Sequence, residues 1–318
     1  MPVLAIALDE LKCALHQSGA RSDSDSAEGR QLRDWCARLE TGTILYFPQT
    51  PLPIPFEELQ FLRKLRQSRS GVHKNIAYKP KPDKLTGVDR ESFSTEEIEQ
   101  LHAIMRGYSA SVTEFLQGFF APYGKRWQLD YASYRPIEEE GRDLPVRHRN
   151  DLLHTDAFPT RPTHGRRILR FFHNIHPDRT RDWVVGEPFE SVIGTFTPGK
   201  LELPRPDGAV ARTGKRLAQV TGLASLVPQW KRTPYDRFMT ELHNSMKEDV
   251  AFQSECKKEE IQFAPGSSWM VYTETVPHSV VAGQYALEQT FLVDPEAMVI
   301  PGSAPIAVLE AMAGARLV

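Results

Sequence analysis

Several things are scarce in this sequence, and each scarcity removes a class of function. Cysteine occurs three times in 318 residues, as Cys13, Cys36 and Cys256. At those unrelated spacings the thiols form neither a disulfide framework nor a zinc-ligand repeat, and they are expected to be reduced, as in cytoplasm. An excess of one charge is also missing: 39 Lys and Arg against 41 Asp and Glu leave a formal net charge of −2. Nucleic acid therefore finds no overall basic surface, and any affinity for anions must come from local clusters. No window reaches the roughly 18 apolar residues that a membrane-spanning helix requires. The apolar opening MPVLAIALDELKCALHQSG lacks a basic leader and soon meets Asp9 and Glu10, which fits a first helix better than a signal peptide. There is no internal repeat.

What remains is an ordinary soluble composition, 40% apolar and 25% charged, in a chain long enough for a sizeable core. Its organisation changes near residue 126. Residues 1–125 read as a helical region with a short strand, packed on the rest. Two short helices are split by the polar, mobile-looking SGARSDSDSAEGR. TGTILYFPQTPLPIP is a strand with a Pro-rich exit, FEELQFLRKLRQS a helix, and NIAYKPKPDKLTGVD a loop. The clearest helix is STEEIEQLHAIMRGYSASVTEFLQGFF, where Ser94 and Glu97 form a capping box and Ile98, Leu101, Ile104, Met105, Tyr108 and Val112 keep a helical period. Over 126–300, WQLDYASYRPI, RRILRFFHNI, RDWVVGEPFESVI, SSWMVYTETV and QTFLVD read as short strands between Gly, Pro and Asp turns. They suggest a twisted, double-sheet β core. TPYDRFMTELHNSMKEDVAFQ spaces Tyr235, Phe238, Met239, Leu242 and Met246 along one helix face, so residues 200–260 are a helical insertion. Residues 301–318 end in an apolar helix, suited to core or dimer packing, with a membrane-surface contact as the alternative.

The chemistry concentrates around LLHTDAF. On a strand or its exit, His154 and Asp156 project to the same side, because side chains alternate with period two. An imidazole and a carboxylate together make two-thirds of a facial triad, the arrangement that holds ferrous iron with open coordination positions. The bland alternative is a hydrogen-bonded surface pair. A third ligand should be a His from a neighbouring strand. His16, His73 and His102 lie outside the β core, and His102 and His243 sit in predicted helices. His173 and His176 could occupy a strand face but follow His154 closely. His278 lies in PGSSWMVYTETVPHSVVAGQ, where a Pro-Gly turn and two strands would carry its ring into a sheet interior. His278 is the choice.

RHRNDLLHTDAFPTRPTHGRRILRFFHNIHP together with VPHSVVAGQYALEQTF resembles the Kdo hydroxylases over most of the chain from about residue 40 onward. These are Fe(II)- and 2-oxoglutarate-dependent dioxygenases that convert 3-deoxy-D-manno-octulosonic acid (Kdo) of the lipopolysaccharide inner core to its 3-hydroxy form. The resemblance implies a fold that is mainly β with flanking helices, a double-stranded β-helix (jelly-roll) core carrying the helical insertion. It implies iron held by the counterparts of His154, Asp156 and His278, with O2 as oxidant and ascorbate as reductant. It also implies Kdo-lipid A, or a related lipopolysaccharide intermediate, as partner. A lipid-linked sugar would place the enzyme peripherally at the cytoplasmic face of the inner membrane.

One departure from the wider superfamily bears on 2-oxoglutarate. Many such enzymes anchor its far carboxylate on a cation soon after the distal His, whereas no Lys or Arg follows His278 until Arg316. The strand RRILRFF offers Arg166, Arg167 and Arg170 instead. A guanidinium grips a carboxylate with two prongs, and the assignment is Arg170 assisted by Gln289, with Arg167 next. For an anionic sugar, Arg135, Arg147, Asn150, Arg161 and Arg166 are the candidates, with Arg149, Arg179 and Arg181 nearby; Tyr131, Tyr134, Phe171 and Phe172 are possible walls. Two rival readings remain: a zinc hydrolase on the same triad, and a non-catalytic lipopolysaccharide-binding protein.

Overall fold

The computed structural model describes residues 3–18, 26–65, 75–197, 199–208 and 231–318. Most of the polar stretch at 18–30, and residues 209–230 of the expected insertion, lie outside these.

Alternating apolar side chains build one large sheet of eight strands. In chain order they are β1 (Val3–Ala5), β2 (Ile44–Phe47), β3 (Ile76–Lys79), β4 (Lys84–Thr86), β5 (Trp127–Arg135), β6 (Arg167–Asn174), β9 (Ser268–Tyr272) and β11 (Ala286–Val293). They lie in the order β1-β2-β9-β6-β11-β5-β3-β4. A small antiparallel sheet, β10-β7-β8, contains β7 (Arg181–Val185), β8 (Glu259–Phe263) and β10 (His278–Ala282). Phe172, Trp183, Phe263, Trp269 and Val271 fill the space between the two sheets. This is the two-layer jelly-roll core. The outer face of the large sheet is covered by α2 (Ala27–Glu40) and α4 (Thr95–Phe119). Helix α4 begins at the Ser94–Glu97 capping box and buries Leu101, Ile104, Met105, Tyr108 and Val112. Helices α1 (Leu8–Ser18) and α3 (Phe56–Lys64) complete that side.

Two local expectations change. The basic loop NIAYKPKPDKLTGVD is the hairpin β3–β4, because Ile76 and Tyr78 turn inward and the Tyr78 hydroxyl donates to Asp83 at the turn (2.9 Å). With β1 and β2, the first 125 residues thus supply four strands to the large sheet. RDWVVGEPFESVI splits into β7 and a helix, α5 (Phe189–Phe196). Pro188 cannot donate to a strand ladder, and Phe189, Val192, Ile193 and Phe196 bury a helical stripe. That stripe joins α6 (Pro234–Glu248), α7 (Val250–Glu255) and the C-terminal helix α8 (Pro305–Ala313) in a second core at the end of the barrel. Ile306 and Leu309 of α8 are buried there, so its apolar face is core. Among the described residues, no helix is long and apolar enough to cross a membrane.

Candidate metal centre and active-site cavity

The candidate metal triad is assembled by backbone pairing between segments far apart in sequence. His154 and His278 face each other across an isolated antiparallel bridge, His154 N donating to His278 O (3.1 Å) and His278 N to His154 O (2.9 Å). Directly opposed residues on antiparallel strands put their side chains on the same side, so the rings meet with centroids 4.9 Å apart. Two residues on, Asp156 N donates to Thr273 O (2.9 Å), and period two keeps the carboxylate on the ring side. One ligand atom from each of His154, Asp156 and His278 lies within 4.8 Å of the others.

Tautomers follow from the neighbours. His154 Nδ1 is 2.7 Å from Leu152 O and His278 Nδ1 is 2.8 Å from Val276 O. A carbonyl can only accept, so both Nδ1 atoms carry the proton and both Nε2 lone pairs are left for a metal. Burial depresses both imidazole pKa values, His154 well below its usual range, and both rings are neutral as ligands must be. Burial alone would raise the Asp156 carboxyl, but Arg170, with Nε 2.9 Å from Oδ2, holds it below the ordinary carboxylate range. Asp156 Oδ2 is nevertheless buried without a hydrogen bond, a lone pair that a cation would satisfy. Two neutral imidazoles and one ionised carboxylate fit a divalent ion, and the donor set suits non-haem ferrous iron.

The triad lies on the wall of a cavity of about 390 Å³. Of the sequence candidates, Arg135, Arg147, Asn150, Arg161 and Arg170 line it, together with Tyr131 and Phe172. Arg170 also pairs with Glu288 (3.3 Å), which Arg135 approaches at the same distance and to which Ser133 donates at 2.7 Å. Trp183 stacks on the His278 ring at 5.0 Å, a rigid backing for the ligand.

Other candidates lie elsewhere. Arg167 is fully buried on the opposite face of β6, where Nε donates to Glu274 (2.8 Å) and Nη2 to Thr275 (2.6 Å). Gln289 pairs with Phe171, whereas Arg170 pairs with Thr290. Paired residues share a face, so Gln289 points away from the cavity and donates to Asp130 O and Thr290 O (both 3.0 Å). The inward residues of β11 are its neighbours Glu288 and Thr290. Arg166 reaches out to Gln128 (2.6 Å). Tyr134 and Phe171 belong to the core under α4. Arg149, Arg179 and Arg181 pair with Asp151, Glu138 and Glu139 away from the cavity. His243 of α6, weighed as a metal ligand and set aside for lying on a helix, and Lys247, not singled out in the sequence, both line the cavity. Their signal is the spacing of four beside the apolar stripe of that helix.

A family profile described as 3-deoxy-D-manno-oct-2-ulosonic acid (Kdo) hydroxylase matches residues 22–316. A search of curated protein sequences returns no match. Among solved structures, the chain is similar to the Kdo hydroxylase KdoO, a non-heme Fe(II) alphaketoglutarate-dependent dioxygenase. The complex of that protein with alphaketoglutarate and Fe(III) is 31% identical, with a TM-score of 0.79, over 100% of this chain and 98% of that one. The complex with cobalt(II) is 32% identical, with a TM-score of 0.80 over the same shares, and the complex with succinate and Fe(III) is 31% identical at 0.79, again with 100% and 98% covered.

Proposed function

This chain belongs to the Kdo hydroxylase family, and from that premise we propose that it hydroxylates Kdo carried on lipid A, or on a related lipopolysaccharide intermediate, to the 3-hydroxy sugar acid, with His154, Asp156 and His278 holding the iron. It is an Fe(II)- and 2-oxoglutarate-dependent dioxygenase, a hydroxylase of Kdo. One observation carries the ligand assignment: three ligand atoms from two distant segments converge within 4.8 Å on the wall of a cavity. When bound, ferrous iron with 2-oxoglutarate and O2 supplies the oxidising power for hydroxylating a C–H bond, with succinate and carbon dioxide as by-products.

The chain's own residues do the rest. Leu152 O and Val276 O fix the imidazoles so that Nε2 faces inward. Arg170 keeps Asp156 ionised and has further N–H groups for the far carboxylate of 2-oxoglutarate, with the Thr290 and Ser133 hydroxyls beside it. Tyr131, Phe172 and Trp183 line the space and exclude water from it. Arg135, Arg147 and Arg161 with Asn150 make its wall polar and cationic, suited to an anionic, lipid-linked sugar. Such a lipid-linked substrate is met at the cytoplasmic face of the inner membrane, where the protein would act peripherally.

The test is succinate formation by purified protein given Fe(II), 2-oxoglutarate, ascorbate and Kdo-lipid A, with His154→Ala alongside. Substrate-dependent succinate and the gain of one oxygen in the lipid, both absent from the variant, are expected. Iron and 2-oxoglutarate binding without turnover of this lipid would retain the class and refute the lipid A assignment.

A further inference from the structure

Helix α6 contributes His243 and Lys247 to the wall of the cavity. Thr233 and Asp236 cap its start, and Tyr235, Phe238, Met239, Leu242 and Met246 anchor it in the second core. With rotation so fixed, His243 and Lys247, four residues apart and therefore on one face, turn into the cavity. His243 Nδ1 is 2.7 Å from Thr155 O and so carries its proton. Its Nε2 is left as an acceptor, and its ring meets that of His154 edge-on at 4.9 Å.

Lys247 differs from every arginine around it. Arg135 is paired with Glu288, Arg147 with Glu248, Arg161 with Asp130, and Arg170 with Asp156 and Glu288. Lys247 is only 5% exposed, yet among the described residues no carboxylate lies within ion-pair distance of it. Its one hydrogen bond goes to Arg147 O (3.2 Å), which leaves two of the three ammonium N–H groups for the cavity. A buried ammonium without a counter-ion is costly, and burial has pushed this one down to about 8. Asp156 and Asp151 act on it only from beyond ion-pair distance, which leaves a close counter-ion to be supplied by what enters.

We propose that Lys247 receives the carboxylate of the sugar acid and so selects acidic over neutral sugars, with His243 Nε2 accepting from a neighbouring substrate hydroxyl. This rests on the Kdo-lipid reading above. The Arg170 side of the cavity is thereby kept for 2-oxoglutarate and the α6 side for the sugar.

The experiment compares Kdo-lipid A with the same lipid whose Kdo carboxylates are methyl esters, using wild type, Lys247→Met and Lys247→Gln. Wild type should prefer the acid by about 10–100-fold in kcat/KM, the range for a charged hydrogen bond. Both variants should lose that factor on the acid, mainly through KM, and lose nothing more on the ester. Anaerobic titration of the Fe(II) protein with 2-oxoglutarate, followed by visible absorbance, should give wild-type affinity; it also reports that each variant is folded. Variants that still discriminate fully would reduce Lys247 to a structural tether for Arg147 and overturn the proposal. Weakened 2-oxoglutarate binding would overturn it too, by assigning Lys247 to the co-substrate. If wild type binds iron and 2-oxoglutarate but oxygenates neither lipid, the Kdo-lipid reading fails and the assignment falls with it.

Discussion

Arg167 and Arg170 sit three residues apart on β6 and answer to different physics. Arg170 borders the cavity between Asp156 and Glu288, while Arg167 is sealed against Glu274 on the other face. Arg170→Met should raise KM for 2-oxoglutarate about 10–100-fold by removing a charge-assisted contact. Arg167→Met should leave that KM near wild type and cost about 3–5 kcal/mol of stability, because Glu274 becomes an unpaired buried charge. Steady-state kinetics beside urea unfolding separates the two, and a large KM effect of Arg167→Met would refute the assignment. His173, also on the outward face of β6, carries a pH prediction. Burial, followed by Arg63, depresses its pKa to about 4, and its Nδ1 has no hydrogen-bond partner. The unfolded value is near 6.5, so between those limits the unfolded chain binds more protons and stability falls as pH drops. His173→Phe removes that dependence. Relative to wild type it should gain roughly 2–3 kcal/mol between pH 7.5 and pH 4.5, measured by urea unfolding at both. An unchanged difference would mean that the folded ring takes up its proton over the same pH range as the unfolded one. The same alternation shows what the sequence could yield at this scale. Arg170 and Phe172 share the cavity face of β6 by its period of two, a period the reading of Phe171 as a wall overlooked, and Gln289 was placed without the β11 register, so that a slip of one residue put it on the wrong face.

Elements whose pattern and surroundings agree were legible, and those defined by their partners were not. Helix α4 announces itself by a capping box and a long apolar period. Strands β5, β6, β9 and β11 carry aromatic and β-branched residues between turns. The hairpin Ile76–Thr86 is basic and rich in turn residues, and it counts as sheet only because β3 pairs with β5. Helix α5 follows β7 so closely that the apolar run looks continuous until Pro188 is weighed. Helix α6 was recognised as a helix, but its contribution of His243 and Lys247 depends on where its apolar stripe docks, which only the assembled second core determines. Helix α8 is the sharpest test of element against environment. An apolar terminal helix invites a membrane role, yet Leu309 is 0% exposed. Leu309→Ala should therefore cost about 2–5 kcal/mol, seen as a lower thermal midpoint. Partition onto anionic lipid vesicles should stay at the wild-type level in a sedimentation assay, and lost partition with unchanged stability would reverse the assignment.

At the scale of the whole molecule, the candidate metal centre is a closure between segments with little else in common. Residues 150–156 are tied to the second half of the chain by four backbone bonds, two between His154 and His278, one from Val280 N to Asn150 O and one from Asp156 N to Thr273 O. The unfolded chain does not hold these three ligands together, so a divalent ion binds the folded state and stabilises it in proportion to its occupancy. At about 100 times the dissociation constant the gain is about 2.7 kcal/mol, which for a chain of this size raises the thermal midpoint by roughly 4 °C. Cobalt(II), which occupies a similar protein at 32% identity, serves as an oxygen-stable probe. Wild type should be stabilised by cobalt and returned to its metal-free midpoint by a chelator. His154→Ala and His278→Ala should unfold at one temperature with or without the metal, because two ligands no longer enclose it. A wild-type midpoint indifferent to cobalt and to Fe(II) under anaerobic conditions would show that the convergence of His154, Asp156 and His278 holds the sheets together without holding a metal.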